Sequence, residues 1–120
     1  IARNPILSKL KETRYYPGKF KFANSTECIE NERLYMHLEL PSSQNVVLIL
    51  FAGFIARRII PFVSKGDTLD IGQRIGIIKF GSRIDIYVPE DYITDIKAGD
   101  EVIAGETILF SKKNKENVLE

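Results

Sequence analysis

Gly66–Asp67–Thr68–Leu69–Asp70–Ile71–Gly72–Gln73–Arg74–Ile75 returns 33 residues later as Gly99–Asp100–Glu101–Val102–Ile103–Ala104–Gly105–Glu106–Thr107–Ile108. Both copies fit G-D-x-(Leu/Val)-x-x-G-(Gln/Glu)-x-Ile, six agreements at one offset. The leading Gly–Asp suits a tight turn, because glycine accepts a positive φ and aspartate can bond nearby backbone. The second glycine lets a short strand bend or approach another backbone closely. Two such hairpin units predict a mostly β fold, a small barrel or sandwich-like domain with approximate two-fold symmetry.

Working outward, the flanking segments also read as strands. Arg83–Ile84–Asp85–Ile86–Tyr87–Val88 alternates polar with aliphatic residues, so one face is expected in the core and the other in water. Glu32 to Leu40 alternates as well, with Leu34, Met36, Leu38 and Leu40 on one side. Val46 to Phe51 is continuously apolar and fits a fully buried strand, after a Pro41–Ser42–Ser43–Gln44–Asn45 loop. Tyr16–Pro17–Gly18–Lys19 reads as a turn before an irregular stretch, and the best helix candidate is a weak one at residues 26–33. Residues 1–111 read as one core and the polar stretch 112–120 as a fraying tail.

Composition excludes more than it supplies. Among 120 residues, 17 basic and 16 acidic side chains leave a net charge of +1. That balance argues against a nucleic-acid partner held through its phosphates. A single cysteine, Cys28, excludes an internal disulfide framework. Together with a single histidine, His37, it also excludes a zinc site of the usual Cys/His kind. The most apolar run, VVLILFAGFI from Val46 to Ile55, has ten residues, where a membrane-crossing helix needs about 20. Ile1–Ala2–Arg3–Asn4–Pro5 lacks a signal-peptide core and reads as a cut inside a longer protein.

Few residues carry chemistry. Gly81–Ser82 stands between two strands, and taken alone such a pair is an ordinary turn. The alternative is that Ser82 attacks the unshielded carbonyl of Gly81, helped by backbone strain. His37 shares strand parity with Arg33, Tyr35 and Glu39 and is expected in solvent. Cys28 reads as a buried or idle thiol. Arg57 and Arg58 could meet a lipid phosphate, but alternation turns at least one of them elsewhere. Phe51, Phe54, Ile55, Ile59 and Phe62 could line an acyl-chain groove, with core packing as the default.

Phe54–Ile55–Ala56–Arg57–Arg58–Ile59 and the block Gly72 to Pro89, with FGSR at its centre, closely resemble the short bacterial and archaeal form of phosphatidylserine decarboxylase. Tyr16–Pro17–Gly18–Lys19–Phe20, Asn31–Glu32–Arg33 and Ala104–Gly105–Glu106–Thr107 resemble that family too. The resemblance runs from about Arg3 to Ser111. It implies a proenzyme that cleaves itself between Gly81 and Ser82 and converts Ser82 into a pyruvoyl group, with no metal. Residues 1–81 would then belong to the larger subunit and residues 82–120 to the smaller, and the two would stay associated. The implied reaction is decarboxylation of phosphatidylserine to phosphatidylethanolamine and CO₂ in phospholipid biosynthesis. The pyruvoyl ketone would accept the electron pair that departing CO₂ leaves behind.

For a phospholipid substrate, the arginine fork of Arg57 and the apolar side chains of Phe54 and Ile55 are the substrate-binding candidates. The family also implies a peripheral place on the cytoplasmic side of the cell membrane, and an apolar groove there would be compatible with a homodimer. A histidine that the family uses in cleavage and decarboxylation falls just before Ile1, so the isolated 120-residue chain is expected to process poorly. A second reading comes from the repeat, which also resembles non-catalytic lipoyl or biotinyl carrier modules of the barrel-sandwich hybrid kind. Those modules present a lysine at a hairpin tip, whereas Asp91–Tyr92–Ile93–Thr94–Asp95 before the second copy has none. Lys79 likewise lacks their flanking residues.

Overall fold

A computed structural model describes residues 1–17, 32–52, 59–78, 83–103 and 106–112. Among them there are ten strands and no helix: β1 (Ala2–Arg3), β2 (Ser8–Tyr16), β3 (Arg33–Glu39), β4 (Asn45–Phe51), β5 (Ile59–Pro61), β6 (Thr68–Leu69), β7 (Arg74–Ile78), β8 (Arg83–Tyr87), β9 (Tyr92–Ile93) and β10 (Ser111–Lys112). They form a five-stranded sheet in the order β6-β2-β3-β4-β8, a three-stranded sheet β1-β7-β5 and a β9-β10 pair. The expectation of a mostly β fold holds. The helix candidate does not extend to Arg33, which opens β3, while residues 26–31 lie outside the described set.

The alternation in β3 sets the register of the large sheet. Leu34, Met36 and Leu38 are buried, with half-exposed residues between them. Across the strand pair they meet Leu50, Leu48 and Val46 directly. A slip of one residue would turn this whole set toward water, so the core itself enforces the pairing. Truncating one such leucine costs about 2–5 kcal/mol. The core is shared between sheets, since Ala2, Ile59, Ile75 and Leu69 belong to the same buried cluster as the β3 and β4 residues. β4 is buried nearly throughout, as its apolar run predicts. β8 departs from expectation, because Ile84 is 42% exposed although it faces Leu50.

A bulge in β2 matters further on. Leu10 pairs with Leu38, but the register then shifts so that Thr13 and Tyr15 oppose Met36 and Leu34. Antiparallel partners share a face, so the extra residue turns odd-numbered side chains of β2 toward the face that carries the core, where Thr13 is half-buried and Tyr15 remains exposed at the rim. In the smaller sheet, Gly76 of β7 lies between Ala2 of β1 and Pro61 of β5. A Cβ there would stand 2.9 Å from the carbonyl oxygen of Ile60, so only glycine allows this close approach.

The two sequence copies build the same turns. Asp67 Oδ2 accepts from the Ser64 N–H and Asp100 Oδ2 from the Lys97 N–H, both at 2.8 Å. The backbone bonds Gln73 N–H to Asp70 O and Glu106 N–H to Ile103 O also correspond. Gly66 and Gly99 have φ of 95° and 94°. Burial, however, is not repeated. Leu69 and Ile75 are 0% and 1% exposed, while their counterparts Val102 and Ile108 are 50% and 79% exposed.

Candidate active site at the crossing from β7 to β8

Residues 79–82 carry the chain from β7 to β8, and Gly81 and Ser82 lie outside the described residues, as do Phe54, Ile55, Arg57 and Arg58. The described flanks of these two segments are held together by pairing. Ile78, just before residues 79–82, opposes Ile59, just after residues 53–58. Arg83, the residue after Ser82, opposes Phe51, which precedes Ala52 and the same 53–58 segment. Both segments therefore spring from one end of paired strands. The flanks of the two segments, Phe51 and Arg83 on one side and Ile59 and Ile78 on the other, are neighbours because β4 pairs with β8 and β5 with β7.

Arg83 is committed within the fold. Its Nε and Nη2 donate to the Asp85 oxygens at 2.7 and 3.0 Å, and its guanidinium carbon lies 5.3 Å from the centre of the Phe51 ring. Residues two apart on a strand share a face, so this fork is a local consequence of alternation. Beside it, Ala52 N–H donates to the Glu32 carbonyl at 2.9 Å. The Glu32 carboxylate is buried and accepts from the Tyr15 hydroxyl and from the Ile59 N–H. Sequence reading assigned Glu32 no role. Its parity with Leu34, Met36, Leu38 and Leu40 was nonetheless a usable signal that a carboxylate faces the core.

The other candidates are dispersed. His37 sits on the non-core face of β3 and meets Asn45 Oδ1 at 2.8 Å on the exposed side, in keeping with a solvated histidine. Cys28 lies outside the described residues. Phe51 packs with Ile49 on the face away from the main core, whereas Ile59 belongs to that core and Phe62 is exposed. Those three do not line one groove. An apolar cavity of about 520 Å³ opens elsewhere, walled by Ile1, Val46, Leu48, Ile75, Ile84 and Ile108, with Arg3 and Asn4 as polar members. Tyr92 borders it, and its hydroxyl pKa is raised above the usual tyrosine value, first by burial and then by the charge of Asp91. Among the described residues no three His, Cys, Asp or Glu side chains are grouped to hold a metal ion. No helix among them is long and apolar enough to cross a membrane.

These features define an all-β domain in which the residues flanking two chain segments, 53–58 and 79–82, are paired with one another at strand ends. The chain belongs to the phosphatidylserine decarboxylase family, whose model matches residues 1–110. It is 42% identical over 110 residues to a phosphatidylserine decarboxylase proenzyme of Erythrobacter litoralis, covering 91% of this chain and 44% of the relative. It is 43% identical to the proenzyme of Novosphingobium aromaticivorans, with coverage of 91% and 44%. The proenzyme of Desulfotalea psychrophila is 42% identical, with coverage of 91% and 51%. The chain thus spans about half the length of the curated relatives it matches. No solved structure matches it.

Proposed function

We propose that these residues are the catalytic part of a pyruvoyl-dependent phosphatidylserine decarboxylase that matures by cutting itself between Gly81 and Ser82. The observation that carries this reading is the pairing of Ile78 with Ile59 and of Arg83 with Phe51. Both ends of a four-residue crossing are anchored in strands, which suits a peptide that must be held against relaxation while it reacts.

In the proposed maturation, Ser82 Oγ adds to the Gly81 carbonyl carbon, and the peptide C–N bond gives way to an ester. Removal of the Cα proton of residue 82 then breaks its Cβ–O bond and frees Gly81 as a carboxylate. Water finally displaces the nitrogen as ammonia, leaving a ketone. When present, the pyruvoyl group supplies an electron sink for the pair released with CO₂. The fit of this group to the chain is that residue 82 is its own source, followed directly by Arg83 in a paired strand. Arg57, Phe54 and Ile55 are proposed to bind substrate, with phosphatidylserine in a membrane as the partner surface and the two cleaved chains remaining together.

β1 adds support. Ala2 pairs with Gly76 in antiparallel sense, so chain entering from before Ile1 comes from the direction of Ile78 and the crossing. The family resemblance puts the general-base histidine in that stretch. The carrier reading rests on the repeated turns alone, and it leaves the upstream blocks within the 110-residue family match unexplained.

The test is intact mass under denaturing conditions. A proenzyme holding these residues and the upstream half that relatives have is expected to split at Gly81–Ser82, giving a smaller product with a blocked N-terminus. Ser82→Ala is expected to stay whole, and so is the 120-residue chain alone. A full-length wild type that remains uncut would sink the proposal.

A further inference from the structure

Glu32 is the one buried carboxylate among the described residues, 3% exposed, and the proposed chemistry leaves it unused. Two donors converge on a single oxygen. The Tyr15 hydroxyl stands 2.5 Å from Oε2, and the Ile59 N–H is 3.3 Å from the same atom. Tyr15 is itself 53% exposed, so it reaches the buried carboxylate from the rim of the core. Tyr15 opposes Leu34, on the same face as Glu32, only because the bulge between Leu10 and Glu12 shifts the register of β2.

The backbone of Glu32 completes the arrangement. Its carbonyl accepts from the Ala52 N–H at 2.9 Å. Ala52 is the last described residue before segment 53–58 and Ile59 the first after it, so both ends of that segment are tied to Glu32. Ile59 in turn opposes Ile78, and Phe51 opposes Arg83. One side chain and its carbonyl thereby set the spacing between the bases of two segments: the one that holds Gly81–Ser82 and the one that holds Arg57.

Glu32 Oε1 is buried with no hydrogen-bond partner among the described residues. A buried polar atom left unmatched costs stability, and Asn4 Oδ1 shares that condition, so the role argued for Glu32 stands on the contacts of its Oε2 and its carbonyl. We propose that Glu32 is a positioning residue for self-cleavage, holding β5 against β3 so that the crossing from β7 to β8 is delivered in reactive geometry. This rests on reading Gly81–Ser82 as the cleaved bond.

The experiment follows the initial rate of self-cleavage in the full-length proenzyme, with melting temperature measured on each variant. Glu32→Ala is expected to slow cleavage about tenfold or more, since small misplacement of reacting groups is that costly. Glu32→Gln keeps an oxygen for both donors and is expected to recover the rate to within about threefold of wild type. Leu38→Ala, at the other end of β3, should lower the melting temperature by a similar amount and still cleave at the wild-type rate. Three results overturn the proposal: Glu32→Ala cleaving as fast as wild type, Glu32→Ala and Leu38→Ala slowed alike, or Glu32→Gln as slow as Glu32→Ala. The second would mean general destabilisation, and the third a need for the charge itself. A wild type that never cleaves refutes the underlying reading instead, whatever the variants do.

Discussion

Asn4 should be among the most sensitive positions in the chain. It is 1% exposed, and its Nδ2 faces three carbonyl oxygens: Ile6 at 2.5 Å, Leu69 at 3.2 Å and Asp70 at 3.0 Å. Its backbone donates to Gln73 O and accepts from Gly72 N–H, at 2.8 and 2.7 Å. The residue thus stitches the start of the chain onto the first repeat. An amide nitrogen has two hydrogens, so Asn4→Ala removes about two net hydrogen bonds, each worth about 1 kcal/mol. The buried carbonyls it abandons add about another 1–3 kcal/mol. A loss of about 3–5 kcal/mol is expected from urea unfolding followed through the midpoint and slope.

Asn4→Asp tests the direction of the amide. It has nearly the same shape, but at neutral pH it turns an anion toward three carbonyls, so it should be at least as harmful as alanine. Burial and the facing oxygens would raise the folded-state pKa of that new carboxyl above its unfolded value of about 3.9. Protonation then restores a donor, so stability is regained as pH falls toward the unfolded value and lost as pH rises through the folded one. An Asn4→Ala variant within 0.5 kcal/mol of wild type, or an Asn4→Asp deficit that does not shrink on acidification, would refute the reasoning.

Two further substitutions probe other links. Gly76→Ala puts a Cβ 2.9 Å from the Ile60 carbonyl, and since backbone must yield, about 1–3 kcal/mol should be lost on the urea curve. A neutral result would mean that β5 and β7 can separate freely. Asp67→Ala and Asp100→Ala each delete one 2.8 Å bond to a backbone N–H. Each should cost about 0.5–1.5 kcal/mol, with the two values matching within about 0.5 kcal/mol if the turn energy is local. Calorimetry on both variants checks this.

Much of the architecture was legible because it depends on neighbours in the chain. The period of two in β3 separated Leu34, Met36 and Leu38 from Arg33, Tyr35 and His37 without reference to any partner strand. The same parity marked Glu32 as facing inward, although nothing local said which donors would meet it. Those donors come from Tyr15 and Ile59, brought in by a bulge and by a separate sheet. The grouping of Phe51, Ile59 and Phe62 into one groove failed for a related reason. Phe51 and Ile59 pack in different clusters, because whether an apolar residue joins a given core depends on which face of which sheet covers it.

The repeat shows the division most clearly. Sequence by itself determined both Gly–Asp turns, since a positive φ at glycine and an aspartate bonded to backbone three residues away need no tertiary help. It also determined that the chain is built of short strands, and its longer blocks carried the family resemblance. Only the tertiary structure decided that Leu69 and Ile75 are core while Val102 and Ile108 are exposed. It alone paired the residues flanking 53–58 with those flanking 79–82. Turns are set by torsions within a few residues, whereas burial and proximity are set by which distant strands pair and what the paired sheets enclose.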